Sequence, residues 1–276
     1  MRYVVHTRQP LTGTRLNPSH PAFVNNAPLF AYNAAQPFVE VSGSALINTG
    51  GIVPFNNGMS TSKAVGDAAT PIYLEVNRNF GPLTRNCEVI IGFTCRSLAA
   101  AAPLFSTGND SNRAGIKLRI NTNGSIELLS GDDVGTAAGV NQRAILSPAS
   151  TITTNIAYSL CCGFTSATTG HMIVNGAEKT VSTAGSASTY GVGTGNGVLH
   201  SMLGIGGGQY PTNQEIAYFI LLPNVLNVGL ARNISNNPWQ LFEDYYRPMM
   251  LDTVATSFNP AWAVNSTVTI QSRMAA

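Results

Sequence analysis

The sequence predicts an all-β sandwich. Three observations carry that expectation: short segments of apolar and polar alternation from about residue 29 to residue 222, Gly- and Asn-rich turns between them, and two Asn-Gly pairs set between alternating runs. Alternation with a period of two places successive side chains on opposite faces of a strand, so each segment suits a sheet with one face buried.

In chain order, weaker strands are expected at residues 29–32, 38–41, 45–48 and 72–76, and clearer ones at 88–96, 114–121, 125–129, 156–164, 171–174, 199–205 and 215–222. In Ile116-Lys117-Leu118-Arg119-Ile120 the apolar residues face one way and the cations the other, which predicts one wet face. Asn123-Gly124 then offers the two positive-φ positions of a tight hairpin, and Asn175-Gly176 offers the same before Glu178-Lys179-Thr180-Val181. Residues 182–197 read as a long Gly-rich loop.

Only one region has helical spacing. Asn227 is placed to cap residues 228–233, with Leu226, Leu230 and Ile234 forming an apolar stripe. Pro238 can open a second short turn, leaving Trp239, Leu241 and Phe242 to pack. Asn237, Pro238, Trp239, Gln240, Leu241 and Phe242 are therefore read as a structural closing motif. Both ends differ from this core. Residues 1–26 hold Pro10, Pro18 and Pro21 with little periodicity, and residues 246–276 mix Pro248 and Pro260 with one alternating run, Val264-Asn265-Ser266-Thr267-Val268-Thr269-Ile270. The expected organisation is an N-terminal arm (1–26), a sandwich domain (27–245) and a C-terminal arm (246–276).

Charged residues are 10% of the 276, far below the usual share for a soluble domain, so the surface must be largely neutral and polar. A formal net charge of +2 with no basic run argues against nucleic acid as a partner. No apolar stretch is long enough to span a bilayer, and Met1-Arg2-Tyr3-Val4-Val5-His6 lacks a signal-peptide core, so the expectation is no membrane insertion and folding in a cytoplasm. Alternation puts Cys87, Val89, Ile91, Phe93 and Cys95 on one face, and Cys162 with Tyr158, Leu160 and Phe164 on another. With Cys161 beside Cys162 and no C-x-x-C spacing, the four cysteines read as buried thiols.

Catalytic chemistry finds little foothold. Glycoside hydrolysis needs two facing carboxylates, yet Glu215, at the start of its strand, has Ala217 and Phe219 as expected same-face partners, and Asp132-Asp133 lie in a Gly-rich turn. His6, His20, His171 and His200 lack zinc-site spacing and read as lone polar-face histidines. No G-x-S-x-G elbow is present, and Gly204-Ile205-Gly206-Gly207-Gly208 lacks the Lys-Ser/Thr ending of a phosphate loop, so no catalytic residue, metal or cofactor is expected. Asp110-Ser111-Asn112 and Asp132-Asp133 are the only calcium nuclei, read as Asx turns. Tyr190, Tyr210 and the amides of Asn213-Gln214 are the candidates for sugar contact.

Over residues 29–245 the order of elements resembles the concanavalin-A-like, laminin-G-like jelly roll. The resemblance rests on Cys87-Glu88-Val89-Ile90-Ile91-Gly92-Phe93, on Phe105-Ser106-Thr107-Gly108 before Gly115-Ile116-Lys117-Leu118, on residues 156–164 before Ile173-Val174-Asn175-Gly176, and on Leu203-Gly204-Ile205-Gly206 before Glu215-Ile216-Ala217-Tyr218-Phe219. The ending, together with Gln9-Pro10 and Asn17-Pro18-Ser19-His20-Pro21, resembles laminin-G-like proteins of tailed bacteriophages and prophages. The resemblance implies a virion component made in the host cytoplasm. The expected function is a non-enzymatic structural protein, a capsid decoration or accessory fibre or tail part held by its arms. Its expected partners are other virion proteins and copies of itself. The alternative is a carbohydrate-binding adhesin that contacts host surface glycan.

Overall fold

A computed structural model describes residues 14–33, 47–49, 52–55, 58–61, 73–76, 87–99, 101–106, 115–131, 142–166, 169–185, 200–202 and 214–244. Its strands are β1 (Thr14–Leu16), β2 (Phe30–Asn33), β3 (Ile47–Thr49), β4 (Ile52–Phe55), β5 (Gly58–Thr61), β6 (Tyr73–Val76), β7 (Glu88–Cys95), β8 (Ala102–Ser106) and β9 (Gly115–Ile120). They continue with β10 (Ile126–Gly131), β11 (Gln142–Leu146), β12 (Ala157–Phe164), β13 (Gly170–Val174), β14 (Ala177–Glu178), β15 (Ser182–Gly185), β16 (His200–Met202), β17 (Gln214–Leu222) and β18 (Phe242–Asp244). One helix, α1 (Val228–Asn236), and 3-10 turns at Pro21–Phe23 and Pro238–Leu241 complete the described elements. The chain divides into two compact units, Met1–Glu243 and Asp244–Ala276, and beyond Asp244 the second lies outside the described residues.

The strands build two large antiparallel sheets and one small sheet of β1 and β18. Sheet I runs β14-β13-β12-β7-β17-β5-β4, with β2 also pairing β17, and sheet II runs β15-β11-β10-β9-β8-β16-β6-β3. The all-β sandwich expected from the alternation is the fold observed. Cys87, Val89, Ile91, Phe93 and Cys95 pack with Leu160, Cys162, Phe164, Phe219 and, from sheet II, Phe105, Ile116, Leu118, Ile126 and Leu128. Phe105 lies 4.2 Å from Phe219, centroid to centroid, and joins the two sheets. All four cysteines are free and buried, as expected, and burial pushes the Cys87 thiol up to about 12.

Sheet I is buried on its other face as well. Ile90, Cys161, Ile173, Tyr218, Ile220 and Leu222 form a second core with Ala22, Phe23, Leu226, Ala231, Ile234, Leu241 and Phe242. Asn227 caps α1 by accepting a hydrogen bond from the Leu230 N–H at 2.8 Å, as its position predicts, although the helix runs three residues past the expected end. The Ser235 hydroxyl ties the helix to sheet I by donating to the Ser159 carbonyl at 2.8 Å. The closing motif completes the lid: Leu241 and Phe242 are buried, and Trp239 is partly buried against Tyr218 in an edge contact at 5.0 Å.

Several sequence expectations are corrected. The segment read as an arm through residue 26 belongs to the lid from Thr14 onward, because Ala22 and Phe23 are buried and β1 pairs with β18. Ser182–Gly185, read as loop, is a strand on β11, held by main-chain pairing that needs no apolar pattern. Asn175 and Gly176 both have positive φ, 49° and 76°, as a two-residue hairpin requires, but between β9 and β10 only Gly124 does. There the turn is a longer Asx-type loop, in which Asn123 Oδ1 accepts from the Ser125 N–H at 3.0 Å. Lys117, expected in water, is 8% exposed, since β9 is an interior strand with Leu129 beside it in register. A bulge at Ala217 separates Ile216 from Tyr218, so Phe219 joins Ile216 in the inter-sheet core and does not share a face with Glu215. Residues 38–41, 1–13 and 246–276 lie outside the described residues.

Candidate functional site

Two groups of polar side chains stand out on sheet I. The first is internal. Glu88, Gly163 and His171 occupy one row across β7, β12 and β13. Glycine at the middle position leaves room for the flanking side chains to meet, and His171 Nε2 lies 2.9 Å from Glu88 Oε1. The second carboxylate oxygen accepts from the Leu226 N–H at 3.2 Å, just before the α1 cap. Glu88 is fully buried and His171 is 3% exposed. Burial lifts the Glu88 pKa above its ordinary value, against the opposing pull of His171 and the Leu226 N–H. Burial works to lower the His171 value, but its hydrogen bond to Glu88 and the charges of Glu88 and Glu178 leave it raised. This pair anchors the lid to the sheet. His171 is thus not the lone polar-face histidine the sequence suggested, and His20 too is buried, with Nδ1 accepting from the Ala22 N–H at 3.2 Å.

The second group is open to solvent. It sits where β7 ends and β12 and β17 begin, with Gln214 paired to Cys95 and Ala157 to Thr94. Arg96, one residue beyond β7, donates from Nε to Glu215 Oε1 at 2.8 Å and also from Nη2 to the same oxygen. Its Nη1 reaches Asn155 Oδ1 at 3.4 Å. Asn155 has φ 62° and its N–H donates to the Cys95 carbonyl at 2.7 Å, which fixes the loop against the end of β7. The Tyr158 hydroxyl accepts from the Thr153 N–H at 2.9 Å and pins the same loop from the other side. Next to Asn155, Ile156 is 49% exposed, one of two large apolar side chains so placed among the described residues.

This arrangement holds a guanidinium and an amide in fixed directions, with exposed Ile156 following Asn155 in the chain. Glu215 is 6% exposed and two N–H groups of Arg96 converge on one of its oxygens, so the carboxylate serves to position the guanidinium. Four further glutamates are paired: Glu127 with Arg119, Glu178 with Arg232, Glu243 with Arg15, and Glu88 with the imidazole of His171. Among the described residues no three His, Cys, Asp or Glu side chains converge to hold a metal ion, and no helix is long and apolar enough to cross a membrane.

Of the residues the sequence singled out, Gln214 opens β17 beside this cluster and Glu215 belongs to it. Tyr190, Tyr210, Asn213, Asp110, Asn112, Asp132, Asp133 and the Gly204–Gly208 run lie outside the described residues. Arg96, Asn155 and Ile156 were not read as site residues. The signal available was weak: an arginine closing a clear strand and an Asn before an apolar residue opening another.

No family model matches the sequence, and no curated protein matches it. Among solved structures the fold is similar to that of Trypanosoma rangeli sialidase in complex with 2,3-difluorosialic acid, with a TM-score of 0.53 and 14% identity over 76% of this chain and 32% of that one. A second complex of that sialidase, with 2,3-difluoro-KDN, gives 0.52 and 16% over 82% and 36%. The receptor binding domain of botulinum neurotoxin C/D mosaic serotype gives 0.54 and 12% over 78% and 51%. The chain spans about a third of the length of the sialidase chains and about half of the neurotoxin domain chain. At such identities the likeness establishes the fold alone, an all-β sandwich.

Proposed function

We propose that this chain is a non-enzymatic carbohydrate-binding module of a virion, an adhesin that contacts host surface glycan. The supporting observation is the Arg96, Asn155 and Glu215 cluster, with exposed Ile156 next to Asn155 in the chain. Sugar recognition calls for a few planar polar groups, fixed in direction, to meet hydroxyls next to apolar surface that meets C–H faces. Glu215 already neutralises the Arg96 charge, so the cluster suits uncharged hydroxyls better than an acid. The sialidase complexes and the neurotoxin receptor binding domain contribute analogy of fold only.

The test is a glycan array with the full chain, followed by titration of any hit. Asn155→Gly keeps the positive φ while deleting the amide, and Ile156→Ser removes the apolar surface. Each should weaken binding about tenfold, a loss of about 1.4 kcal/mol, without lowering the melting temperature. Absence of saturable glycan binding by the native chain overturns the proposal. A second reading, a structural virion protein such as a capsid decoration or accessory fibre part, is favoured by the phage-like closing segment at Asn237 to Phe242. Its test is the position of the protein in an intact particle: a site enclosed by other virion proteins supports architecture, and a distal exposed site supports adhesion.

A further inference from the structure

The segment from Thr14 to Asn26 forms a strap within the lid. β1 pairs with β18, the Asn17 N–H donates to the Leu241 carbonyl at 2.8 Å, and Ala22 and Phe23 are buried in one core with Leu241 and Phe242. At the far end the Asn26 side chain holds the Asn224 backbone, donating to its carbonyl at 3.2 Å and accepting from its N–H at 3.0 Å. Between these ties sits His20, 7% exposed. Its Nδ1 accepts from the Ala22 N–H at 3.2 Å and caps the turn at Pro21–Phe23, its carbonyl accepts from the Phe23 N–H at 2.9 Å, and its ring lies 5.9 Å from that of Phe23. An accepting Nδ1 carries no proton, so this contact requires the neutral ring.

We infer that His20 is an acid-sensitive latch, and that its protonation releases the strap from the lid while the two sheets stay folded. A proton on Nδ1 turns a donor toward the Ala22 N–H, so the capping bond is lost and two donors face each other. Burial opposes the same charge and holds the His20 pKa below its ordinary value, against the pull of the Gln240 side chain in the closing motif. The described charged groups on the surrounding lid elements pair with one another, Arg15 on β1 with Glu243 on β18, and Arg232 on α1 with Glu178 on β14. On the sheet face below, Glu88 binds His171, and burial lifts the Cys161 and Tyr218 values so that both stay neutral as pH falls. A histidine with a depressed value contributes stability that is complete above its unfolded value of 6.5 and is lost as pH falls through its folded value. Glu88 and His171, both raised, respond in the opposite sense, so acid loosens the strap and not the sheet beneath it.

Hydrogen exchange of the full chain between about pH 5 and 8, corrected for intrinsic rates, tests this alongside His20→Asn, which supplies a cap acceptor that does not titrate. The strap amides of Asn17, Phe23 and Asn26 should lose protection by up to about tenfold per pH unit below 6.5, amides of β7 and β12 should not follow, and His20→Asn should abolish the dependence. Strap protection that ignores pH, a dependence that survives in His20→Asn, or a loss shared by the strap and both strands overturns the proposal. Titration of His20 by nuclear magnetic resonance in the native chain decides the matter if His20→Asn does not fold: a value below 6.5 supports the latch, and one at or above it overturns the latch.

Discussion

Glu88 and His171 stand 83 residues apart in sequence and 2.9 Å apart in the buried lid interface, and they meet because Gly163 between them has no side chain. Both are held above their ordinary values of 4.5 and 6.5, so the folded protein binds these protons more tightly than the unfolded chain does. The stability each contributes is complete below its unfolded value and is lost as pH rises through its folded value. Unfolding free energy from urea titration should therefore fall as pH climbs above about 4.5 through Glu88, with the His171 part of the slope setting in above about 6.5. His171→Gln should flatten that slope, while lowering stability by about 3 to 5 kcal/mol through the unpaired Glu88. A slope unchanged by the substitution would contradict the assignment.

The same row makes Gly163 a sharp test of packing. A Cβ at this position would lie 2.6 Å from Glu88 Oε2, 2.8 Å from the Cys87 carbonyl and 2.9 Å from Val225. Glu88 cannot easily give way, since that oxygen accepts from Leu226. Gly163→Ala should cost about 1 to 3 kcal/mol, measured by thermal or urea unfolding. Gly92→Ala should behave alike, because its Cβ would run into the ring of Tyr218, whose hydroxyl is tied to Ser159 at 2.6 Å.

Strand positions were legible because period-two alternation is a local property, and the residues of β7 and β12 sort onto the two cores as their spacing predicts. Features that depend on distant partners were not. Ser182 to Gly185 has no apolar pattern, and its strand exists because β11 offers an edge. The bulge at Ala217 reverses the facing of everything after it, so simple counting from Glu215 goes astray. Arg96 and Glu215 are 119 residues apart, and nothing in either neighbourhood names the other. Asn227 and Pro238 acted as read, because a cap and a first-turn proline work through the residues next to them.

The closing motif divides into parts of unequal weight. Leu241 is fully buried, whereas Trp239 is only partly covered, packing on Tyr218 at 5.0 Å and Phe242 at 6.2 Å. Leu241→Ala should cost about 2 to 5 kcal/mol, and Trp239→Ala about 2 kcal/mol, less than the range for a fully buried ring. Calorimetry on both variants measures the difference. Neither should alter glycan binding at a temperature where both remain folded, since the motif lies in the lid core and not with Arg96 and Asn155.

The two Asn-Gly turns look alike in sequence and should answer differently to the same substitution. Asn175 is in the left-handed region at φ 49°, accepts from the Ser159 N–H at 2.7 Å through its side chain and donates its own N–H to the Ser159 carbonyl at 2.8 Å. Alanine there takes on left-handed strain of about 1 kcal/mol and gives up a hydrogen bond of about 1 kcal/mol. Asn123 keeps an ordinary φ and its side chain accepts from the N–H and hydroxyl of Ser125, while its carbonyl accepts from the Ser150 N–H at 2.8 Å, a bond that alanine keeps. Asn123→Ala should then lose about 1 kcal/mol and Asn175→Ala about 2 kcal/mol. Glycine separates the two terms: Asn175→Gly relieves the strain and should recover roughly half of the alanine loss, whereas Asn123→Gly gains nothing from its freedom and should be no more stable than Asn123→Ala. Equal responses at the two turns would mean that both adopt the same hairpin geometry, contrary to the φ values that distinguish them.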